Sequence, residues 1–305
     1  MTSHLGKTLL IANPAAKSGQ GAFAVSEAVR LLAPPIGIDS FEATLTCGPL
    51  HAQSLAAEAG GFDTVIVLGG DGTIHEVANG LMDLPGETRP ALGIIPVGSG
   101  NDYARTLRMS TRVDRACEQL LDATPRPTDL GQVNGRWFVE TLSFGVDAAI
   151  ALDTISRRKG NGHSGTRLYV ESAFEQLVHH LEERSYETVF EDSVAVRDSM
   201  LTFAVQVGPT YGGGFMICPE ARIDDGLLDV CIAHPPLPLP RALLTFGKVR
   251  FGKHTELEQM EFHRVRRLHV EFDEMPPAQV DGEPIEATSF DISSVHHALQ
   301  VLIPA

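Results

Sequence analysis

The chain has 305 residues, 43% hydrophobic and 21% charged. This composition supports buried cores, excludes a disordered chain, and at this length favours two domains of roughly 100–200 residues each. Its 24 Lys and Arg against 39 Asp and Glu give a net charge of −15, which argues against nucleic acid as a partner and against general attraction to an anionic membrane.

Apolar runs alternate with helical patterns in the first third: strands are expected over 8–12, 64–68 and 92–95, and helices over 22–33, 74–84 and 102–107. This βαβ texture implies a parallel sheet covered by helices, with ligands beyond the carboxyl ends of its strands. After Pro125-Arg126-Pro127 the runs become strand-like, over 136–144, 199–208, 227–233, 268–272 and 300–303, so a β-rich second domain follows. One helix is expected over 168–181, with Leu168, Val170, Ala173, Phe174, Leu177 and Leu181 as a core-facing stripe. The domains are placed at 1–128 and 129–297, with about 298–305 a candidate strand for return to the first. Cys47, Cys117, Cys218 and Cys231 form no CxxC pair and are expected as reduced, buried thiols rather than a zinc site or disulfide framework. The run 8–12 is too short for a signal-peptide core, and no apolar stretch approaches the roughly 18–20 residues that span a bilayer. A cytoplasmic protein without a transmembrane segment is expected.

Three loops carry the chemistry. Gly69-Gly70-Asp71-Gly72-Thr73 ends a buried strand: its glycines let backbone approach a polyphosphate, the next helix offers unpaired N–H groups, and Asp71 suits Mg2+. Thr73 and Glu76 read equally as a capping box, N-cap and N3, and His75 as an ordinary helix residue. Pro96-Val97-Gly98-Ser99-Gly100-Asn101-Asp102 repeats the arrangement, although alone it reads as a turn with Asn101 or Asp102 as N-cap. Asn13 to Gly21 follows the first strand. None of the three fits GxxxxGK[ST] or GxGxxG.

Together with Asp129-Leu130-Gly131, the Tyr211-Gly212-Gly213-Gly214 run, the stretch Pro219 to Asp229 and Val280-Asp281-Gly282-Glu283-Pro284, these loops resemble the soluble diacylglycerol kinase catalytic-domain family. That family includes sphingosine and ceramide kinases and bacterial lipid kinases, and the resemblance spans nearly the whole chain. Departures are the longer Ala15-Ala16-Lys17 insert, Ser99 in a threonine position, and Gly208-Pro209 where Ala-Asn is common. The resemblance implies an α/β plus all-β fold, with an N-terminal parallel-sheet nucleotide-binding domain of the NAD-kinase-like type and a C-terminal antiparallel β-sandwich-like domain. It implies transfer of the γ-phosphate of ATP to a lipid hydroxyl, diacylglycerol giving phosphatidate. Another lipid, a soluble acceptor such as NAD, or a catalytically silent lipid-binding homologue stay as alternatives.

By the same resemblance ATP contacts fall to Asn13, Ser18, Gly19, Thr46, Gly70, Asp71, Gly72, Thr73, Ile74, His75, Glu76, Ser99 and Asn101. Catalytic Mg2+ is assigned to Asp71, with Asp102 and Asp129 in its acidic network. A second, structural Mg2+ is assigned to the backbone carbonyls of Arg222 and Leu227 and the carboxylate of Asp225, whose stretch also reads as a plain β-turn. The Asp281-Gly282-Glu283 turn supplies the base, Glu283 leading and Asp281 the close alternative; alone it reads as a hairpin turn. The partner is a lipid at a membrane surface, visited transiently, with a homodimer as candidate oligomer. The segment 241–254 carries Arg241, Lys248, Arg250 and Lys253 without an acid and reads as a solvated helix face or a headgroup contact.

Overall fold

The structure, a computed structural model, describes residues 4–19, 21–161 and 166–304. The chain divides into two units, Met1–Thr128 with His297–Ala305, and Asp129–His296.

In the first unit the strands Phe41–Leu45, Thr8–Ala12, Thr64–Gly69 and Ala91–Pro96 lie side by side in that order, all parallel. The end of the long strand Ser289–Ile303 joins them, Val301 opposite Leu92. Every residue of Thr8–Ala12 and Thr64–Gly69 is buried. Successive strand side chains point to opposite faces, so this burial requires cover on both. Two helix pairs supply it, Gly21–Ile36 with Val113–Asp122 and His51–Ala57 with Asp71–Met82.

The second unit has two sheets. One runs Met260–Val265, Leu228–Ala233, Thr202–Gln206, Thr141–Gly145, Ala278–Val280 and Glu283–Pro284, antiparallel throughout. The other runs from the first half of Ser289–Ile303 through Arg267–Phe272 and Arg184–Phe190 to Val196–Met200. Between them Phe144, Phe203 and Val230 of the first sheet meet Tyr186, Phe272 and Phe290 of the second, with the Phe144 ring 4.6 Å from Phe290 and 5.1 Å from Phe272. Truncating such a residue costs about 3–5 kcal/mol. Alternation sends Ala204 and Cys231 to the other face of the first sheet, where the helices Val146–Asn161, Thr166–His179 and Leu239–Val249 pack.

Several sequence expectations change. The strand-like texture begins before the expected 136–144 run, in a strand Thr124–Val133 that passes through Pro125-Arg126-Pro127, its first residues exposed, where a missing N–H leaves no buried partner unpaired. The run 136–144 is two strands, Arg136–Phe138 and Thr141–Gly145, and 199–208 is broken likewise between Val196–Met200 and Thr202–Gln206. Helix Thr166–His179 buries Leu168, Tyr169, Ala173 and Leu177, while Val170 and Phe174 are 45% and 58% exposed. Val170 lies about 200° round the helix from Leu168, so the expected stripe mixes two faces. Cys47 is exposed rather than buried, unlike Cys117, Cys218 and Cys231. No helix among the described residues is long and apolar enough to cross a membrane.

Candidate functional site

Within the first unit, adjacent parallel strands all end on one edge, and the loops leaving Thr8–Ala12, Thr64–Gly69 and Ala91–Pro96 are tied together there. The N–H of Asn13 donates to Leu68 O at 2.9 Å and that of Val97 to Gly69 O at 2.8 Å, extending the ladder into the loops. A Cβ on Gly98 would lie 2.5 Å from Gly70 Cα, so the second and third of these loops cross in backbone contact, which two glycines alone permit. Asn101, left-handed at φ 55°, brackets the crossing: its Oδ1 accepts the Gly98 N–H at 2.8 Å and its Nδ2 donates to Gly98 O at 3.0 Å.

Asp71 is the knot of the arrangement. Its carboxylate accepts the N–H of Asn101 at 2.7 Å and of Asp102 at 2.9 Å, charge-assisted bonds that fix one loop against the other. A Cβ on Gly100 would lie 2.8 Å from Asp71 Oδ2 and 3.1 Å from Asp102 Oδ2. Two carboxylate oxygens therefore flank a gap that glycine leaves open, donor chemistry suited to a hard cation. Arg105 offsets part of the charge, its Nη1 2.6 Å from Asp102 Oδ1. A cleft of about 290 Å³ beside the loops is lined by Lys17, Phe23, Pro96, Val97, Gly98 and Asn101.

The remaining expected ATP residues are placed as follows. Asn13 Nδ2 donates to Thr73 Oγ1 at 3.3 Å, joining the first loop to the second. Gly19 ends the short helix Ala16–Gly19; Ser18 lies in it, with its side chain outside the described residues. Thr46 follows Phe41–Leu45 and donates its N–H to Ala12 O at 2.8 Å. Ser99 is half-buried, and Ile74 and His75 are buried in the helix Asp71–Met82. The expected capping box does not form: Gly70 is the N-cap, Thr73 lies inside the helix, and Glu76 accepts the Ala52 N–H at 3.2 Å instead.

In the second unit the Asp281-Gly282 turn joins Ala278–Val280 to Glu283–Pro284 with φ 46° and 92°, the doubly positive geometry of a tight hairpin. Asp281 is 9% exposed, and its carboxylate accepts three backbone N–H groups, of Val139 at 2.8 Å, Glu140 at 3.1 Å and Thr141 at 2.9 Å. Glu283, two residues on, is exposed. The two carboxylates left open by the sequence thus differ sharply: one is consumed by backbone, the other faces solvent on a turn that the first holds rigid.

Asp129 is also consumed. It accepts the Gly226 N–H at 2.6 Å and lies 2.8 Å from His296 Nδ1, pinning the Asp224-Asp225-Gly226 turn. Asp225 Oδ1 accepts the Leu227 N–H at 3.1 Å, and its Oδ2 pairs with Arg264, which also reaches Asp229 at 3.3 Å. A cation held by Asp225 with Arg222 and Leu227 would therefore share that carboxylate with a guanidinium. Sequence reasoning missed one further cluster. Asp147 is fully buried beneath Tyr169, whose hydroxyl is 3.4 Å away; burial pushes its carboxyl up to about 6, against the pull of the Tyr211, Ser143 and Tyr169 hydroxyls. Gly212 touches the same Tyr169 ring, where a Cβ would come within 2.5 Å. The Tyr211-Gly212 run stands out in the sequence, but no local pattern joins it to Ser143, Asp147 and Tyr169, which come from a strand and two helices.

Residues 7–133 match the diacylglycerol kinase catalytic domain, and residues 140–303 the YegS C-terminal NAD kinase beta sandwich-like domain. The chain belongs to the diacylglycerol kinase and YegS-like lipid kinase family. It is 35% identical to the probable lipid kinase YegS-like of Pseudomonas aeruginosa over 251 residues, 82% of this chain and 79% of that one. It is 32% identical to the diacylglycerol kinase of Mycobacterium tuberculosis over 98% of this chain and 96% of that one. The crystal structure of a diacylglycerol kinase from Bacillus anthracis strain Sterne superposes with a TM-score of 0.76 at 23% identity, covering 99% and 98% of the two chains, a likeness of fold. The α/β unit and antiparallel sandwich are this family's architecture.

Proposed function

We propose that the protein is an ATP-dependent lipid kinase that transfers the γ-phosphate to the hydroxyl of diacylglycerol, giving phosphatidate. The observation that carries the reading is the locked crossing of glycine loops at one sheet edge, knotted by Asp71, in a chain 32% identical along nearly its whole length to a diacylglycerol kinase. Phosphoryl transfer asks a protein chiefly to position reactants and neutralise charge. Gly70, Asp71, Gly72 and Thr73 open the helix Asp71–Met82 and offer its N-terminal N–H groups to phosphate oxygens. Asn13, Gly19, Thr46, Ser99 and Asn101 complete the nucleotide contacts.

Asp71 and Asp102 suit Mg2+, whose charge would offset that of the phosphates. Arg105 beside Asp102 offsets part of the charge of that pair of acids. A second Mg2+ at Arg222, Asp225 and Leu227 would act structurally, in competition with Arg264.

Glu283 is the general base: it takes the proton of the acceptor hydroxyl as that oxygen bonds to the γ-phosphorus and the bond from phosphorus to the β-phosphate oxygen breaks, releasing ADP. Asp281 is the positioning residue, since its carboxylate is taken up by three backbone N–H groups and holds the turn that carries Glu283. The enzyme acts from the cytoplasm on lipid at a membrane surface. The test incubates the protein with γ-labelled ATP, Mg2+, diacylglycerol, a sphingoid base and NAD together. Label in phosphatidate is expected; label in NADP, in another lipid, or in none overturns the assignment.

A further inference from the structure

The helices Thr166–His179 and Leu239–Val249 touch each other and bury Tyr169, Ala173 and Leu177, and Ala242 and Val249, in one cluster on one face of one sheet, with Phe246 half-buried against it. Their opposite faces therefore both point away from that sheet. On the first helix Val170 and Phe174, one turn apart, are 45% and 58% exposed; on the second Leu244 is 61% exposed, and Phe251 just beyond it 69%. Large exposed apolar side chains on neighbouring helices mark a contact surface more than solvent exposure by chance.

Charge says which kind. Leu244 shares its helix face with Arg241 and Lys248, three residues before and four after. From 241 to 254 the chain has four cations and no Asp or Glu, against a net charge of −15 overall. Arg250 serves the fold, donating to Gly214 O and lying 5.5 Å over the Phe215 ring, so it does not belong to the outward set as the sequence suggests. Arg241 and Lys253 are exposed and Lys248 half-exposed. The acids on the neighbouring helix are Glu171, 2.8 Å from Arg167 and so matched, and Glu175. A surface with apolar anchors amid cations on an otherwise acidic body has the chemistry of an interfacial helix on anionic lipid.

We propose that Val170, Phe174, Leu244 and Phe251, framed by Arg241, Lys248 and Lys253, form the face by which the protein docks on an anionic bilayer. The proposal rests on the lipid-kinase reading, because a substrate dissolved in a bilayer has to be met at its surface. The acidic remainder of the chain opposes any other orientation, so the basic face also selects how the protein lands.

The test is co-sedimentation with vesicles of phosphatidylcholine, with and without phosphatidylglycerol, alongside phosphorylation of a short-chain diacylglycerol in detergent micelles. Wild type should sediment only with the phosphatidylglycerol vesicles and be released by salt. The variant Arg241→Gln/Lys248→Gln/Lys253→Gln should lose about fivefold in partitioning per charge, and Leu244→Ser/Phe251→Ser should lose binding in the same direction. Both should keep the wild-type melting temperature and micellar activity, since the altered side chains project outward. Variants that bind like wild type, or wild type that ignores anionic vesicles, overturn the docking face. Concentration-dependent self-association of wild type that Leu244→Ser/Phe251→Ser abolishes, without vesicle binding, assigns the face to a second copy and overturns it also. If vesicle binding follows the expectation but no short-chain diacylglycerol is phosphorylated, the docking face stands and the kinase reading fails.

Discussion

Asp71-Gly72 and Asp281-Gly282 are the same dipeptide at the end of a strand, and the fold uses them in opposite ways. At Asp71 the chain turns into a helix, and the carboxylate spans to another loop, taking two N–H groups while Oδ2 stays beside the gap at Gly100. At Asp281 the chain reverses into a hairpin, and the carboxylate is closed off by three N–H groups of Val139, Glu140 and Thr141. The glycines differ too: Gly282 is needed for its φ of 92°, whereas around Asp71 the glycines let backbones touch. What decides whether a carboxylate is open to substrate or metal is how much of it the backbone has already claimed.

The strongest way to break this contrast is Asp71→Ala, which should lower turnover roughly 10³-fold or more. It should also lower the melting temperature, because Asn101 and Asp102 lose their acceptor; full stability after the change would remove the knot, and near-normal turnover at saturating Mg2+ would remove its function. Asp281→Asn should act mainly on stability, costing about 2–4 kcal/mol by presenting an amide where backbone N–H groups need acceptors. Denaturant melts of the variant check this, and an unchanged midpoint would show that the hydrogen bonds hold little.

Gly98→Ala sharpens the comparison on the packing side. Its methyl would meet Gly70 Cα at 2.5 Å, so the loops must part, and kcat/KM for ATP should fall about 10–10²-fold while unit-two stability stays constant. The smallest effect is expected at Asp147, whose carboxyl is pushed up to about 6 from 3.8 by burial. A raised carboxyl favours the protonated form in the folded state, so stability is lost as pH rises from about 4 through 6 and stays low above. Asp147→Asn should therefore be more stable than wild type by about 1 kcal/mol above pH 6, after loss of hydrogen bonds to the hydroxyls. The shift is worth about 3 kcal/mol across that range, so below pH 4 the order should reverse, with wild type the more stable by about 2 kcal/mol, and melts across the range read it directly.

The part of the fold visible in sequence is the part with local periodicity. The strands at Thr8 and Thr64 read clearly because both faces are buried, and the glycine loops because few other residues make such turns. The helix Val146–Asn161 escaped because its second half, Ile155-Ser156-Arg157-Arg158-Lys159-Gly160, has no sustained apolar period. At the site, spacing put Asp281 and Glu283 in one turn but left their roles open. What separates them is contact with residues 139–141, some 140 positions earlier, and no local pattern encodes so distant a pairing. The same holds for Asp129, whose partners Gly226 and His296 lie 97 and 167 residues away.

The most direct measurement is turnover of diacylglycerol by Glu283→Gln, with ATP affinity and melting temperature taken on the same preparation. Glu283 is exposed, so the isosteric amide should leave both affinity and stability at the wild-type value and remove only the proton acceptor. Turnover should fall roughly 10²–10⁴-fold. A variant that turns over within tenfold of wild type, or one whose loss is matched by a fall in melting temperature, would contradict the account of Glu283 as the open carboxylate and the base.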